Sequence, residues 1–137
     1  YGLREDSLPV AADAEPLSME RVRETECDPF GLRVVRDTAE LGTVQHFRAC
    51  DAAAFPALGA ALYVHVSMIG DCHARLWPEA FRSDSRREYR IVMMEEPGGC
   101  RAARYESYWL RLPPLPDGWT VGFSSRTVER GDESASS

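Results

Sequence analysis

Ala61-Leu62-Tyr63-Val64-His65-Val66-Ser67-Met68-Ile69 decides the fold. Leu62, Val64, Val66 and Met68 fall on one side of an extended chain, and Tyr63, His65 and Ser67 on the other. That period of two marks a strand with one face toward a core. Gly70-Asp71 ends it. The preceding Ala52-Ala53-Ala54-Phe55-Pro56 reads as a short helix or loop broken by the proline.

Outward from this strand lie more segments rich in β-branched and aromatic residues, separated by turn formers. Gly31–Asp37 alternates and halts, and Thr43–Arg48 follows Leu41-Gly42. His73–Trp77 stops at Pro78, and Tyr89–Met94 runs into a turn at Glu96-Pro97-Gly98-Gly99. Tyr105–Leu112 leads to the loop Pro113–Gly118, and Trp119–Ser125 closes the series. About seven strands, with no long helical pattern between them, predict an all-β fold, an antiparallel immunoglobulin-like β-sandwich. The organisation expected is a polar N-terminal arm over 1–26, a sandwich domain over 27–128 and a disordered tail over 129–137. Within the arm, Ser18–Arg23 fits either a helical turn or an edge strand.

Cys27, Cys50, Cys72 and Cys100 are widely spaced and contain no CxxC, which argues against a zinc ribbon or thioredoxin-type site. An even count of this kind reads as two disulfides stapling a sandwich, with three connectivities open. No glycine-rich phosphate loop or nucleophile elbow occurs, so no cofactor and no enzymatic activity are expected. A zinc site would have to draw His46, His65, His73 and a thiol from separate strands without motif spacing, so no metal is expected. A nucleophilic pair of Cys100 with a histidine gives way to Cys100 anchoring a strand by a disulfide.

The net charge of -6 argues against a nucleic-acid partner, which needs a basic face. The longest apolar runs fall far short of the roughly 20 residues of a membrane span. The chain opens without Met and turns charged at once, which suggests an ectodomain cut from a longer precursor. All sixteen basic residues are arginine, and lysine and asparagine are missing. Arginine, alanine, glycine and proline share G/C-rich codons, so the bias points to a high-G+C genome, with a viral source among the candidates.

Candidate binding residues are the aromatics Tyr105, Tyr108, Trp109 and Trp119 as interface anchors. Arg86 and Arg87, in the charge-mixed run Arg82–Glu88, suit an acidic partner because guanidinium forks carboxylate, although the run itself reads as a solvated loop. Arg130-Gly131-Asp132 is the tripeptide that integrins read, in a segment expected to be accessible.

The order of segments resembles the C-terminal half of a zona-pellucida-type module. Phe30–Asp37 is similar to its opening strand and Leu62-Tyr63-Val64 to its second. Asp71-Cys72-His73-Ala74, Tyr89-Arg90-Ile91-Val92 and Gly99-Cys100 resemble its cysteine–strand–cysteine passage, and Arg104–Leu112 with Trp119-Thr120-Val121 its final hairpin. That family carries two further cysteines in the last hairpin, where this chain has Phe123 or Ser124 and none after. The resemblance implies an extracellular, non-catalytic module that mediates assembly or binds a growth factor.

The expected function is therefore a secreted or ectodomain module that binds another protein: a growth factor, cytokine or receptor, or a host factor if the source is viral. The competing expectation is an intracellular enzyme or effector with four free thiols.

Overall fold

The computed structural model describes residues 5–22, 27, 29, 31–41 and 55–129. Among these residues eight strands and one short helix follow in order: β1 Glu15–Pro16, β2 Glu20–Val22, β3 Arg33–Val35, α1 Thr38–Leu41, β4 Leu62–Asp71, β5 Arg75–Ser83, β6 Glu88–Glu96, β7 Ala103–Leu112 and β8 Thr120–Thr127. They form two four-stranded sheets, ordered β1-β5-β6-β8 and β2-β7-β4-β3. The fold is all-β and sandwich-like, as the alternation predicts.

Because β4 alternates, its even residues Leu62, Val64, Val66 and Met68 turn inward with Leu110 and Leu112 of β7. They meet Leu76 and Ala80 of β5, Tyr89, Ile91 and Met93 of β6, and Phe123 of β8. Burial of this set is the main favourable term in folding, at about 25 cal/mol per Å² of apolar surface. Val66 has no exposed surface at all, nor has Ile91.

Three sequence expectations need correction. β5 does not stop at Pro78 but runs through it to Ser83, antiparallel to β6. The Ala80 carbonyl accepts from the Leu17 amide, so Ala80, and by alternation Pro78, directs its backbone away from β6. Pro78 therefore lacks a donor only on the outer side, where β1 pairs no further than Phe81 and Arg82. Second, the sandwich is not wholly antiparallel. β8 lies parallel to β6, from Glu88 opposite Thr120 to Glu95 opposite Thr127, because β7 intervenes in the other sheet. Third, the polar N-terminal arm expected over 1–26 does not stand apart from the sandwich within residues 5–22, since β1 extends β5 and β2 extends β7. Ser18–Arg23 thus contains an edge strand, Glu20–Val22, rather than a helical turn.

The helix α1 was not anticipated. Its signal was Asp37-Thr38-Ala39-Glu40, a helix-start pattern in which the Glu40 amide donates to Asp37 Oδ1 at 2.9 Å. Glu40 in turn accepts from the Arg36 amide at 2.7 Å. Thr43–Arg48 and residues 130–137 lie outside the described residues, as do Ala52, Ala53 and Ala54. From Phe55 to Ala60 the chain forms turns, with Leu58 donating to the Phe55 carbonyl. Among the described residues no helix is long and apolar enough to cross a membrane.

Candidate binding face

The outer face of the β4–β7 pair divides into a covered and an open half. Register places Tyr63, His65, Ser67 and Ile69 of β4 opposite Arg111, Trp109, Ser107 and Tyr105 of β7. At the covered end Tyr63, Val35 and Trp109 form a second cluster beneath Cys27, Leu41 and Phe55. Phe55 stands edge-on to Trp109 with ring centres 4.8 Å apart, and His65 does so at 5.1 Å. The Trp109 indole donates to the Cys27 carbonyl at 2.8 Å. The Gly31 carbonyl lies 2.8 Å from His65 Nδ1 and 3.2 Å from Ser67 Oγ, and there the cover ends.

Beyond that point Ile69 is 56% exposed and Tyr105 75% exposed, directly opposite one another. Facing neighbours of this kind pack as a cross-strand pair. The other exposed large hydrophobics among the described residues are Leu8 and Val10, on the N-terminal segment. Ser67 and Ser107 border the pair on one side, and Arg104 and Glu106 are bonded to each other at 2.6 Å nearby.

The sequence-predicted aromatics do not converge. Tyr105 alone lies open on this face. Tyr108 points to the opposite side, half-buried beneath the Arg21 guanidinium at 4.0 Å, and burial pushes its hydroxyl pKa up. Trp109 is a correction: at 1% exposure it is core, because odd residues of β7 at this end lie beneath Phe55 and Cys27. Trp119 packs edge-on to Tyr89 with its ring under the Arg82 guanidinium.

Arg86 is largely engaged within the chain. It donates to the Pro9 carbonyl at 2.7 Å and sits 3.7 Å from Glu88. Arg87 is exposed in the β5–β6 turn with φ of 51°. The run Arg82–Glu88 is not uniformly solvated either, since Ser83 and Glu88 are buried. Asp13 explains Ser83, accepting from its hydroxyl at 2.8 Å and from the Ser85 amide at 3.0 Å.

Cys72 and Cys100 form a disulfide. Cys27 is also disulfide-bonded, and Cys50 and Arg130-Gly131-Asp132 lie outside the described residues. His73 stands within 4.8 Å of both Cys72 and Cys100, but sulfurs joined to each other offer no thiolate to a metal or a substrate. Asp71 completes this corner by accepting from the Gly98 amide at 2.8 Å and the His73 amide at 2.9 Å. The Gly98 amide, foremost, holds the Asp71 carboxyl below its ordinary pKa. A side chain at Gly98 would collide with the His73 carbonyl, so the close approach requires glycine.

Sequence reasoning missed a buried ion cluster on the outer face of the other sheet. Arg90, 3% exposed, reaches Glu88 at 2.9 and 3.1 Å and forks Asp6 at 2.8 and 3.2 Å. Gly122 leaves room for it, as a Cβ there would lie 2.8 Å from Arg90 Cζ. The Arg90 hydrogen bond is the main reason the Asp6 carboxyl is held below its ordinary pKa. Only the alternation of Glu88 and Arg90 with apolar Tyr89 and Ile91 hinted at a charged face under cover.

A cleft of about 240 Å³ opens at the flank of the sandwich. Met68 and Ile69 of β4 form one side, Ser125, Arg126 and Thr127 of β8 the other, and Leu76 and Met93 line it between the sheets. A scan of protein-family models, a search of curated proteins and a search of solved structures each found no match.

Proposed function

We propose that this chain is an extracellular, non-catalytic module that binds another protein through the open half of the β4–β7 face. The observation that carries the proposal is the Ile69–Tyr105 pair, apolar and aromatic, displayed side by side on the two longest strands. A tyrosine brings large contact area at low entropy cost, and aromatic anchors dominate interface energies. The neighbouring serines supply hydroxyls for a polar rim. Disulfides suit an oxidising compartment, which supports secretion or display outside the cell. A growth factor, cytokine or receptor is the partner class that fits such a compartment. The resemblance to a zona-pellucida-type half-module supports the same reading.

The test is a binding screen of the purified protein against arrayed extracellular domains, repeated with Tyr105→Ser and with Leu8→Ser. The proposal expects a partner whose binding falls about tenfold or more with Tyr105→Ser and is kept with Leu8→Ser. Binding indifferent to Tyr105→Ser overturns it.

A further inference from the structure

The cleft between β4 and β8 has the makings of a second recognition site, which shares with the Ile69–Tyr105 pair only Ile69. β4 pairs with β7 along its whole length, from Leu62 to Asp71, but with β3 only at Tyr63, Val64 and His65. The Cys72 amide donates to the Ala102 carbonyl, continuing the β4–β7 register, so even residues of β4 direct their backbone toward β7. Ser67 and Ile69, being odd, direct theirs to the opposite edge, where no strand among the described residues pairs with them. An edge of this kind is a template for another strand.

The β8 edge across the cleft is already engaged, since the Asp6 amide donates to the Phe123 carbonyl at 2.7 Å and Ser125 Oγ to Glu5 at 2.8 Å. Among the described residues the β4 edge is therefore the one open to an incoming strand. Beside it the cleft is lined by Met68, Leu76 and Met93, and thioether side chains adapt readily to an apolar guest. Its lining also carries the carboxylates Glu5 and Glu95 against the single guanidinium of Arg126, so the cleft favours positive charge.

We propose that this cleft accepts an extended segment of a partner protein, added to the edge of β4. One apolar side chain of that segment enters between Met68 and Met93, and a basic residue beside it meets Glu5 and Glu95. This is strand addition, in which main-chain bonds supply affinity and alternate side chains supply specificity.

The intact protein tests this with two synthetic probes. One is a seven-residue peptide alternating threonine and leucine with arginine at both ends, and the other has glutamate at both ends. The expected result is that the arginine-ended peptide slows exchange of the Ser67 and Ile69 amides and binds about tenfold tighter than its counterpart. Glu95→Gln should shrink that preference several-fold, and Ile69→Pro, which removes one edge donor, should abolish binding. Should Ile69→Pro fail to fold, Glu95→Gln still decides. Tyr105→Ser should leave the peptide response unchanged, which separates this site from the face proposed above. Failure of the arginine-ended peptide to protect Ser67 and Ile69 at about 1 mM overturns the proposal, as does equal binding of both. Protection that rises with protein concentration alone, together with a dimer in sedimentation, assigns the edge to a second copy and overturns it too.

Discussion

Replacing Arg90 with leucine should be among the most damaging changes in the molecule. Its guanidinium is almost wholly buried and makes four hydrogen bonds, two to Glu88 and two to Asp6. Without it the Glu88 carboxylate, whose side chain is 10% exposed, keeps a charged neighbour among the described residues only in Arg86 at 3.7 Å. Breaking a buried pair from one side costs about 3–5 kcal/mol, because the abandoned charge remains desolvated. For a chain of 137 residues that corresponds to a fall in Tm of roughly 10–20 °C. Replacing the pair together, Arg90→Leu with Glu88→Leu, removes the stranded charge and should recover about 2 kcal/mol or more of the single-mutant loss. Asp6 then loses its partner as well, but at 43% side-chain exposure water can solvate it. Urea melts of wild type, both single variants and the double variant, followed by tryptophan fluorescence, form a double-mutant cycle. Additive losses in that cycle would refute the reasoning, since they would mean that Arg90 and Glu88 contribute independently.

Three further outcomes are expected. Asp6, Asp13 and Asp71 all have depressed pKa values, held down chiefly by Arg90, the Ser85 amide and the Gly98 amide respectively. Their stabilisation is therefore present above the ordinary carboxylate pKa near 4 and is lost as pH falls through the lower folded values. Tm should drop as pH falls below about 4, and Asp6→Asn with Asp13→Asn should flatten that drop. Opening the 28-residue disulfide loop with Cys72→Ser and Cys100→Ser should cost about 3–4 kcal/mol by chemical denaturation. Trp109→Ala should cost about 3–5 kcal/mol, whereas Tyr105→Ser should stay within about 0.5 kcal/mol of wild type, in the same denaturation assay.

The alternation in β4 carried most of the fold because one face of a sandwich strand must be apolar, and that constraint leaves a period of two in the sequence. It exposed the even residues of β4 as core and located β6, β7 and β8 within a few residues. Pro78 misled because a proline stops a strand only where its missing donor is needed, and which side needs it depends on the neighbour. The parallel pairing of β8 with β6 was illegible for a similar reason, since pairing direction follows from which sheet β7 joins. Trp109 and Tyr105 look alike on one strand face. What separates them is the cover supplied by Phe55 and Cys27, distant in sequence and placed by tertiary structure alone. Arg90 is the converse, a charge that reads as surface until the N-terminal segment folds over it.

Hydroxyl-radical footprinting of the protein, free and saturated with a partner found in the binding screen, tests the central claim most directly. In the free protein Tyr105 and Ile69 should label heavily and Trp109 and Tyr63 hardly at all. In the complex labelling of Tyr105 and Ile69 should fall several-fold while Leu8 keeps its free-state level. Unchanged labelling of Tyr105 in the complex would contradict the account, because the partner would then be seated elsewhere.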